Sequence, residues 1–144
     1  MNWKGICIHH SAGPDTIAKD WDGIRRYHLS KGWRDIGYHF GIEWVGGLYM
    51  TYAGRSLNMA GAHCPAVNRT HIGVCIVGNF EKGVPHPFAI QALAALCLKL
   101  CKDHKISPTE IKCHRDFSNT LCPGKNMPMK YIVDLATHYL TTGA

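Results

Sequence analysis

The chain has 144 residues, of which 46% are hydrophobic and 18% are charged, a composition typical of one globular domain and unlike that of a disordered or coiled-coil protein. Its 16 Lys and Arg residues outnumber 10 Asp and Glu residues, so the formal net charge is +6 and contact with polyanions is favoured. No dense basic run and no apolar run of about 18 residues is present, so we predict no stable nucleic-acid or membrane partner. We expect a monomer.

The first part of the chain predicts a strand followed by a helix. Residues 6–8 form a short apolar run that is typical of a buried strand, which ends at His9 and His10. Asp15 is a candidate cap for a helix over residues 16–31. One face of this helix repeats at helical spacing: Ile17, Trp21, Ile24 and His28.

The middle of the chain predicts three further strands. Residues 38–42 have the composition of a strand, and Gly46-Gly47 predicts a two-residue turn between the two strands of a hairpin. Residues 72–78 are a continuous apolar run bounded by turn residues. Such a run indicates a central strand that is covered on both faces.

The last part of the chain predicts two helices around a short strand. Pro87 suits the first turn of a helix that continues to about His104. Residues 111–114 predict a strand, and residues 128–140 predict the final helix. Strands that alternate with helices imply an α/β domain built around one mixed sheet.

The cysteine pattern argues against a disulfide framework, because the count of seven is odd and the spacing is irregular. Five of these residues fall in apolar segments, where we expect buried free thiols: Cys7, Cys75, Cys97, Cys101 and Cys113. Cys64 lies in a predicted loop and receives no role. The N-terminus lacks the apolar segment and cleavage site of a secretory signal, so we expect synthesis in the cytoplasm.

Three potential metal ligands lie at the ends of predicted strands or in the loop beyond. They are His9, His114 and Cys122. Imidazole nitrogen and thiolate sulfur are ligands of zinc, and three protein ligands leave the fourth tetrahedral position open, as in catalytic sites. The spacing alone is a weak signal, because the sequence contains neither HExxH nor paired CxxC motifs.

Five short segments occur in the order that is typical of a known family. They are residues 9–13 (HHSAG), residues 33–40 (WRDIGYHF), residues 61–63 (GAH), Asn68 ahead of residues 72–74 (IGV), and residues 114–116 (HRD) followed by residues 122–124 (CPG). Together they resemble the zinc-dependent N-acetylmuramoyl-L-alanine amidases shared by phage amidase lysozymes and peptidoglycan-recognition proteins. The resemblance spans residues 6–140. It implies a central mixed sheet flanked by helices, and hydrolysis of the amide between N-acetylmuramic acid and the L-alanine of the stem peptide.

The resemblance also implies one catalytic Zn²⁺, held by His9, His114 and Cys122. His9 is preferred over His10 because it matches the family's ligand, and because adjacent strand residues point to opposite faces. Tyr38 matches the family's active-site tyrosine, which would orient the metal water or donate to the developing oxyanion. Thr120 stands where relatives carry Lys or Thr and would hydrogen-bond the tetrahedral intermediate.

Further positions follow from the same resemblance. His63, Asn68 and Arg55 fall in segments that line the family's substrate groove, so they are candidate substrate-binding residues. The run 72–78 lacks the glutamate that some distant relatives carry, which excludes a carboxylate base from that strand. Trp33 and Trp44 could be groove aromatics, but we favour core positions.

The leading function is therefore an endolysin-type amidase that acts on peptidoglycan after the membrane has been breached. We expect residues 1–144 to form a single catalytic domain without a separate cell-wall-binding domain. Two alternatives share the fold: a non-catalytic peptidoglycan-binding module, which the presence of Cys122 argues against, and a cytoplasmic muropeptide-recycling amidase. A third hypothesis, a nucleic-acid or polymerase partner, rests on the basic charge alone, and no sequence motif supports it.

Overall fold

The computed structural model describes residues 1–12 and 20–143. In this part of the chain a five-stranded sheet is accompanied by three α-helices. The strands are β1 (Gly5–His10), β2 (Phe40–Val45), β3 (Leu48–Ala53), β4 (His71–Ile76) and β5 (Ile111–Cys113). The helices are α1 (Trp21–Ser30), α2 (Pro87–His104) and α3 (Met129–Thr142), and single-turn 3₁₀ helices span Pro108–Glu110 and His114–Asp116. The predicted α/β fold is confirmed.

The strand order is β3-β2-β4-β1-β5, and the sheet is mixed. β1 runs parallel to both β4 and β5, β2 runs parallel to β4, and only the β2–β3 hairpin is antiparallel. Every residue of β1 and β4 is buried, as the apolar run at 72–78 predicts for a central strand. Gly46 and Gly47 join β2 to β3 with φ values of +59° and +95°, the left-handed pair that a tight hairpin turn requires.

The two faces of β1 belong to different layers. Ile6 and Ile8 enter the larger apolar core, which α2 and α3 cover. Cys7 packs on the opposite face, in a small cluster with Cys64. Because side chains alternate along a strand, His9 lies on the face of Cys7 and not among the residues under α2.

The first helix begins later than the sequence predicts. α1 starts at Trp21, and the Asp20 carboxylate caps it by accepting a hydrogen bond of 2.6 Å from the Gly23 N–H. Asp15 and Ile17 lie outside the described residues, but the remaining predicted face of Trp21, Ile24 and His28 is buried. No helix in residues 1–12 and 20–143 combines the length and apolar character needed to cross a bilayer.

The position of Trp44 differs from the one expected from the sequence. We favoured a core position, but Trp44 lies near the tip of the β2–β3 hairpin and is 52% exposed. The hairpin forms one edge of the sheet, where the Trp44 ring packs beside that of Tyr49 and stays open to solvent on its other side. Trp33 is partly buried and packs on the His28 ring, with a centroid separation of 4.6 Å.

The cysteine predictions agree with the structure. All five thiols expected in strands or in α2 are buried: Cys7, Cys75, Cys97, Cys101 and Cys113. Cys64 is buried as well, although it lies outside the strands and helices.

Truncation of Leu93 tests how closely α2 packs on the sheet. Leu93 is fully buried in the larger core, so Leu93→Ala is expected to lower the free energy of unfolding by about 2–5 kcal/mol. Urea unfolding measures the loss. The matched control is Leu48→Ala on the edge strand, where the side chain is 67% exposed and the change should stay within about 0.5 kcal/mol. Equal losses in both variants would contradict this packing.

Candidate active site

Three donor side chains meet at the carboxyl ends of β1 and β5. His9 is the penultimate residue of β1, His114 directly follows β5, and Cys122 lies in the loop before α3. Their donor atoms lie within 4.8 Å of one another. The two strands are adjacent and parallel, so their carboxyl ends share one edge of the sheet. This pairing brings together two histidines that are far apart in the chain.

The backbone around Cys122 holds its sulfur next to β1. The His10 N–H donates to the Cys122 sulfur at 3.4 Å, and the Arg115 N–H donates to the Cys122 carbonyl at 3.0 Å. The sulfur lies 3.7 Å from the Nδ1 atom of His9. The loop is therefore tied both to the end of β1 and to the turn after His114.

The protonation states of the three donors suit a soft divalent cation. Burial lowers the pKa of His9 well below its usual value and also lowers the pKa of His114, so both rings are neutral and keep a lone pair at neutral pH. Burial raises the pKa of the Cys122 thiol to about 12. Such a thiol becomes a thiolate at neutral pH only where a cation compensates its charge. Two neutral imidazoles and one thiol are a donor set that fits Zn²⁺.

The donors open into a cavity of about 580 Å³. Its walls include Tyr38, His63, Thr120 and the loop residues Glu81 and Lys82. A ligand set that reaches such a cavity has room for a fourth, exchangeable ligand, which is the arrangement of catalytic metal sites and not of closed structural ones.

A second donor group shares His9 with the first. It consists of Cys7, His9 and His63, of which Cys7 and His9 are fully buried. Cys7 belongs to the small cluster with Cys64, on the face of the sheet opposite the larger core, and does not line the cavity described above. The group with His114 and Cys122 is therefore the better candidate for a metal that meets a substrate.

Tyr38 and Thr120 both line the cavity. Tyr38 precedes β2, and its ring centroid is 5.1 Å from that of His9. Burial raises the pKa of Tyr38 well above 10, and a hydrogen bond between its hydroxyl and the Cys75 side chain acts in the same direction, so the hydroxyl keeps its proton. The Thr120 hydroxyl accepts a hydrogen bond of 3.2 Å from the Cys122 N–H, which leaves its own hydrogen for donation.

His10 is directed away from the three donors. Its Nδ1 atom accepts a hydrogen bond of 3.0 Å from the Phe80 N–H, in the loop that follows β4. This contact agrees with the choice of His9 as the ligand, since the alternation along β1 sends the two rings to different sides.

The three predicted substrate-binding residues differ in their relation to the cavity. His63 lines the cavity, whereas Asn68 and Arg55 do not. The Asn68 side-chain oxygen accepts hydrogen bonds of 2.8 Å from the N–H groups of His63 and Cys64. Arg55 donates to three backbone carbonyls, those of Asp35, Ile36 and Ala60. Both side chains hold loops in place, and their contact with substrate stays a prediction.

Residues 1–125 match the family model described as N-acetylmuramoyl-L-alanine amidase. The chain belongs to this amidase family. Among curated proteins it is 34% identical to the endolysin of Klebsiella phage KP32 over 123 residues, which cover 82% of the chain and 78% of the endolysin. It is 33% identical over 127 residues to peptidoglycan-recognition protein LB of Drosophila melanogaster, where the match covers 83% of the chain but about half (53%) of the fly protein.

Solved structures of an amidase and of a recognition protein share the fold of this chain. The amidase LysC from Clostridium intestinale superposes with a TM-score of 0.79 at 33% identity, covering 92% of the chain and 83% of LysC. A mutant of Drosophila peptidoglycan-recognition protein LB, solved with tracheal cytotoxin, superposes with a TM-score of 0.69 at 28% identity, covering 88% of the chain and 80% of that protein. The amidase fold of this chain is thus shared by enzymes and recognition proteins.

The sequence analysis missed one wall of the amidase cavity. Asn79, Glu81 and Lys82 line it, in the loop directly after β4. The signal was present in the sequence, because a polar segment follows the carboxyl end of a predicted central strand. Ligands of open α/β sheets bind at that edge. Glu81 also accepts a hydrogen bond of 2.8 Å from the Lys125 N–H, which joins this loop to the one that carries Cys122.

Substitution of Asn68 separates a loop-supporting role from contact with substrate. Asn68→Ala leaves two backbone N–H groups without their acceptor, so we expect a loss of about 1–3 kcal/mol in the free energy of unfolding. Asn68→Asp keeps an acceptor oxygen and should retain most of the stability. Urea unfolding of both variants measures the difference. Unchanged stability of Asn68→Ala, together with a raised KM, would instead indicate a substrate contact.

Proposed function

We propose that the chain is an endolysin-type peptidoglycan hydrolase that cleaves the amide between N-acetylmuramic acid and the L-alanine of the stem peptide. The observation that carries this proposal is the convergence of two neutral imidazoles and one thiol on an open cavity. The endolysin and LysC relatives support amide hydrolysis, and the recognition-protein relatives support peptidoglycan as the polymer that enters the cavity.

The proposal assigns one Zn²⁺ to His9, His114 and Cys122. When bound, Zn²⁺ polarises a substrate carbonyl and lowers the pKa of a water molecule to about 7. His9 and His114 contribute neutral nitrogen donors, and Cys122 contributes one negative charge after it loses its proton. The site then carries one net positive charge, which favours the charge that develops on the carbonyl oxygen.

Tyr38 and Thr120 act on the oxygen atoms of the substrate in this proposal. Because the raised pKa of Tyr38 keeps its hydroxyl protonated, Tyr38 donates a hydrogen bond to the oxyanion as it forms. Thr120 is oriented by the Cys122 N–H and offers a second, uncharged donor. Donors that are already in place need no reorganisation when the charge appears.

A non-catalytic peptidoglycan-binding module is the second candidate, and the recognition-protein relatives favour it. The two functions differ in their products. A binding module retains the polymer unchanged, whereas an amidase releases stem peptides that begin with a free L-alanine amine. We propose that the enzyme meets the wall after synthesis in a host cytoplasm and breach of the membrane.

Removal of a ligand tests the metal assignment and the reaction together. The wild-type protein should hold one zinc ion per chain and release free stem peptides from purified sacculi, as measured by metal analysis and by mass analysis of the products. Cys122→Ser and His9→Ala should lose both zinc and product. His138→Ala, at an exposed position on α3, is the histidine control and should keep both. Bound zinc with intact sacculi would favour the binding module, and product release without any metal would refute the zinc mechanism.

Removal of the Tyr38 hydroxyl tests its role separately from the metal. Tyr38→Phe should bind zinc normally and lower kcat by about 10²–10³-fold, the loss expected for one oxyanion donor. Metal analysis and steady-state kinetics on the same preparation measure the two effects. Full turnover in Tyr38→Phe would exclude Tyr38 from the catalytic step.

A further inference from the structure

His63 links the backbone carbonyl of His71 to the ring of His9, one of the candidate metal ligands. Its Nδ1 atom lies 2.9 Å from the Nε2 atom of His9, and its own Nε2 atom lies 3.0 Å from the backbone carbonyl oxygen of His71. Both ring nitrogens are therefore engaged within the protein. His63 lines the cavity with its ring but has no nitrogen left for a sugar or peptide group, unlike the substrate-binding role that the family resemblance suggests.

The backbone carbonyl of His71 determines the directions of both hydrogen bonds. A backbone carbonyl can only accept, so the Nε2 atom of His63 must carry the hydrogen. A neutral imidazole has one donor and one acceptor nitrogen, so the Nδ1 atom of His63 is the acceptor. The Nε2 atom of His9 must then be the donor. The Nδ1 atom of His9 is left with its lone pair, and this is the atom that lies 3.7 Å from the Cys122 sulfur.

The surroundings of His63 keep the ring neutral and in place. Burial lowers the pKa of His63 to about 3, which agrees with a neutral ring. A Cβ atom at Gly61 or at Gly73 would come within 2.4 or 2.5 Å of the His63 ring, so the absence of side chains at both positions makes room for it. Asn68 anchors the His63 backbone N–H.

We propose that His63 is a positioning residue that sets the tautomer and ring orientation of His9, so that the Nδ1 lone pair of His9 is presented to the metal. This inference rests on the proposed zinc site but concerns a different property, the readiness of one ligand before the metal arrives. Hydrogen-bonded partners of this kind raise metal affinity because the ligand need not be reoriented on binding. The backbone carbonyl of His71 fixes one end of this series of hydrogen bonds, and the Nδ1 lone pair of His9 is at the other end.

The first test reads the tautomers directly in the metal-free wild-type protein. Long-range ¹H–¹⁵N NMR spectra of the histidine rings should show the hydrogen on Nε2 of both His9 and His63, with Nδ1 unprotonated in each. A hydrogen on Nδ1 of His9 would overturn the proposal. This measurement needs no substitution, so it decides the question even if a variant at His63 fails to fold.

The second test measures zinc affinity by competition with a chelator. His63→Ala removes the acceptor and should weaken zinc binding about 10–100-fold. His63→Asn should keep most of the affinity, since its side-chain oxygen can accept from His9 at the place of Nδ1. His138→Ala is the matched control: it removes an exposed imidazole on α3 that takes no part in these contacts, so wild-type affinity is expected. Thermal unfolding of the metal-free variants shows whether each one is folded.

The outcomes separate this inference from the proposed function. Tight zinc binding by the wild type with equal affinity in folded His63→Ala would overturn the role of His63 and leave the zinc amidase intact. Equal weakening in His63→Ala and His63→Asn would also overturn it, because the loss would then follow the ring and not the hydrogen bond. A wild-type protein that binds no zinc would remove the proposed function itself, whereas the NMR result would still stand or fall separately.

Discussion

The parallel pairing of β1 with β5 on one side and β4 on the other is the constraint on which the candidate site depends. The register places Ile8 opposite Cys113 and Val74, so that His9 and His114 emerge side by side at the same edge of the sheet. A slip of one residue would turn His9 towards α2 and α3 and move His10 into its place. The apolar residues Ile6 and Ile8 prevent this slip, because the larger core buries them on the other face.

Burial then determines the chemistry of the edge. It keeps the two histidines neutral, with lone pairs available, and it raises the pKa of the Cys122 thiol, so this thiol ionises only where a cation compensates its charge. The same burial keeps the Tyr38 hydroxyl protonated. The cavity supplies what a closed metal site lacks, a side from which a carbonyl can approach. The three donors thus meet in a position that is partly buried and opens on one cavity.

The loop that contains His63 supports the candidate metal ligand His9. Gly61 and Gly73 bring two backbone segments close to the His63 ring, and Asn68 holds the loop through two backbone N–H groups. His63 and Asn68, the candidate substrate-binding residues in this loop, thus hydrogen-bond to His9 and to the loop backbone. Glu81 and Lys82, in the loop after β4, line the same cavity.

The sequence by itself determined the elements whose signals are local. The apolar run at 72–78, the Gly46-Gly47 turn and the helix that begins at Pro87 all predict their structure because period, turn chemistry and capping act over a few residues. The family resemblance also indicated His9, His114 and Cys122, which spacing alone could not bring together. Only the tertiary structure decided that Trp44 is exposed and that Asn68 and Arg55 bind backbone. It alone decided that His63 bonds His9. These features depend on which segments become neighbours in space, and neighbours across a sheet are set by register and packing over the whole chain, not by the residues on either side.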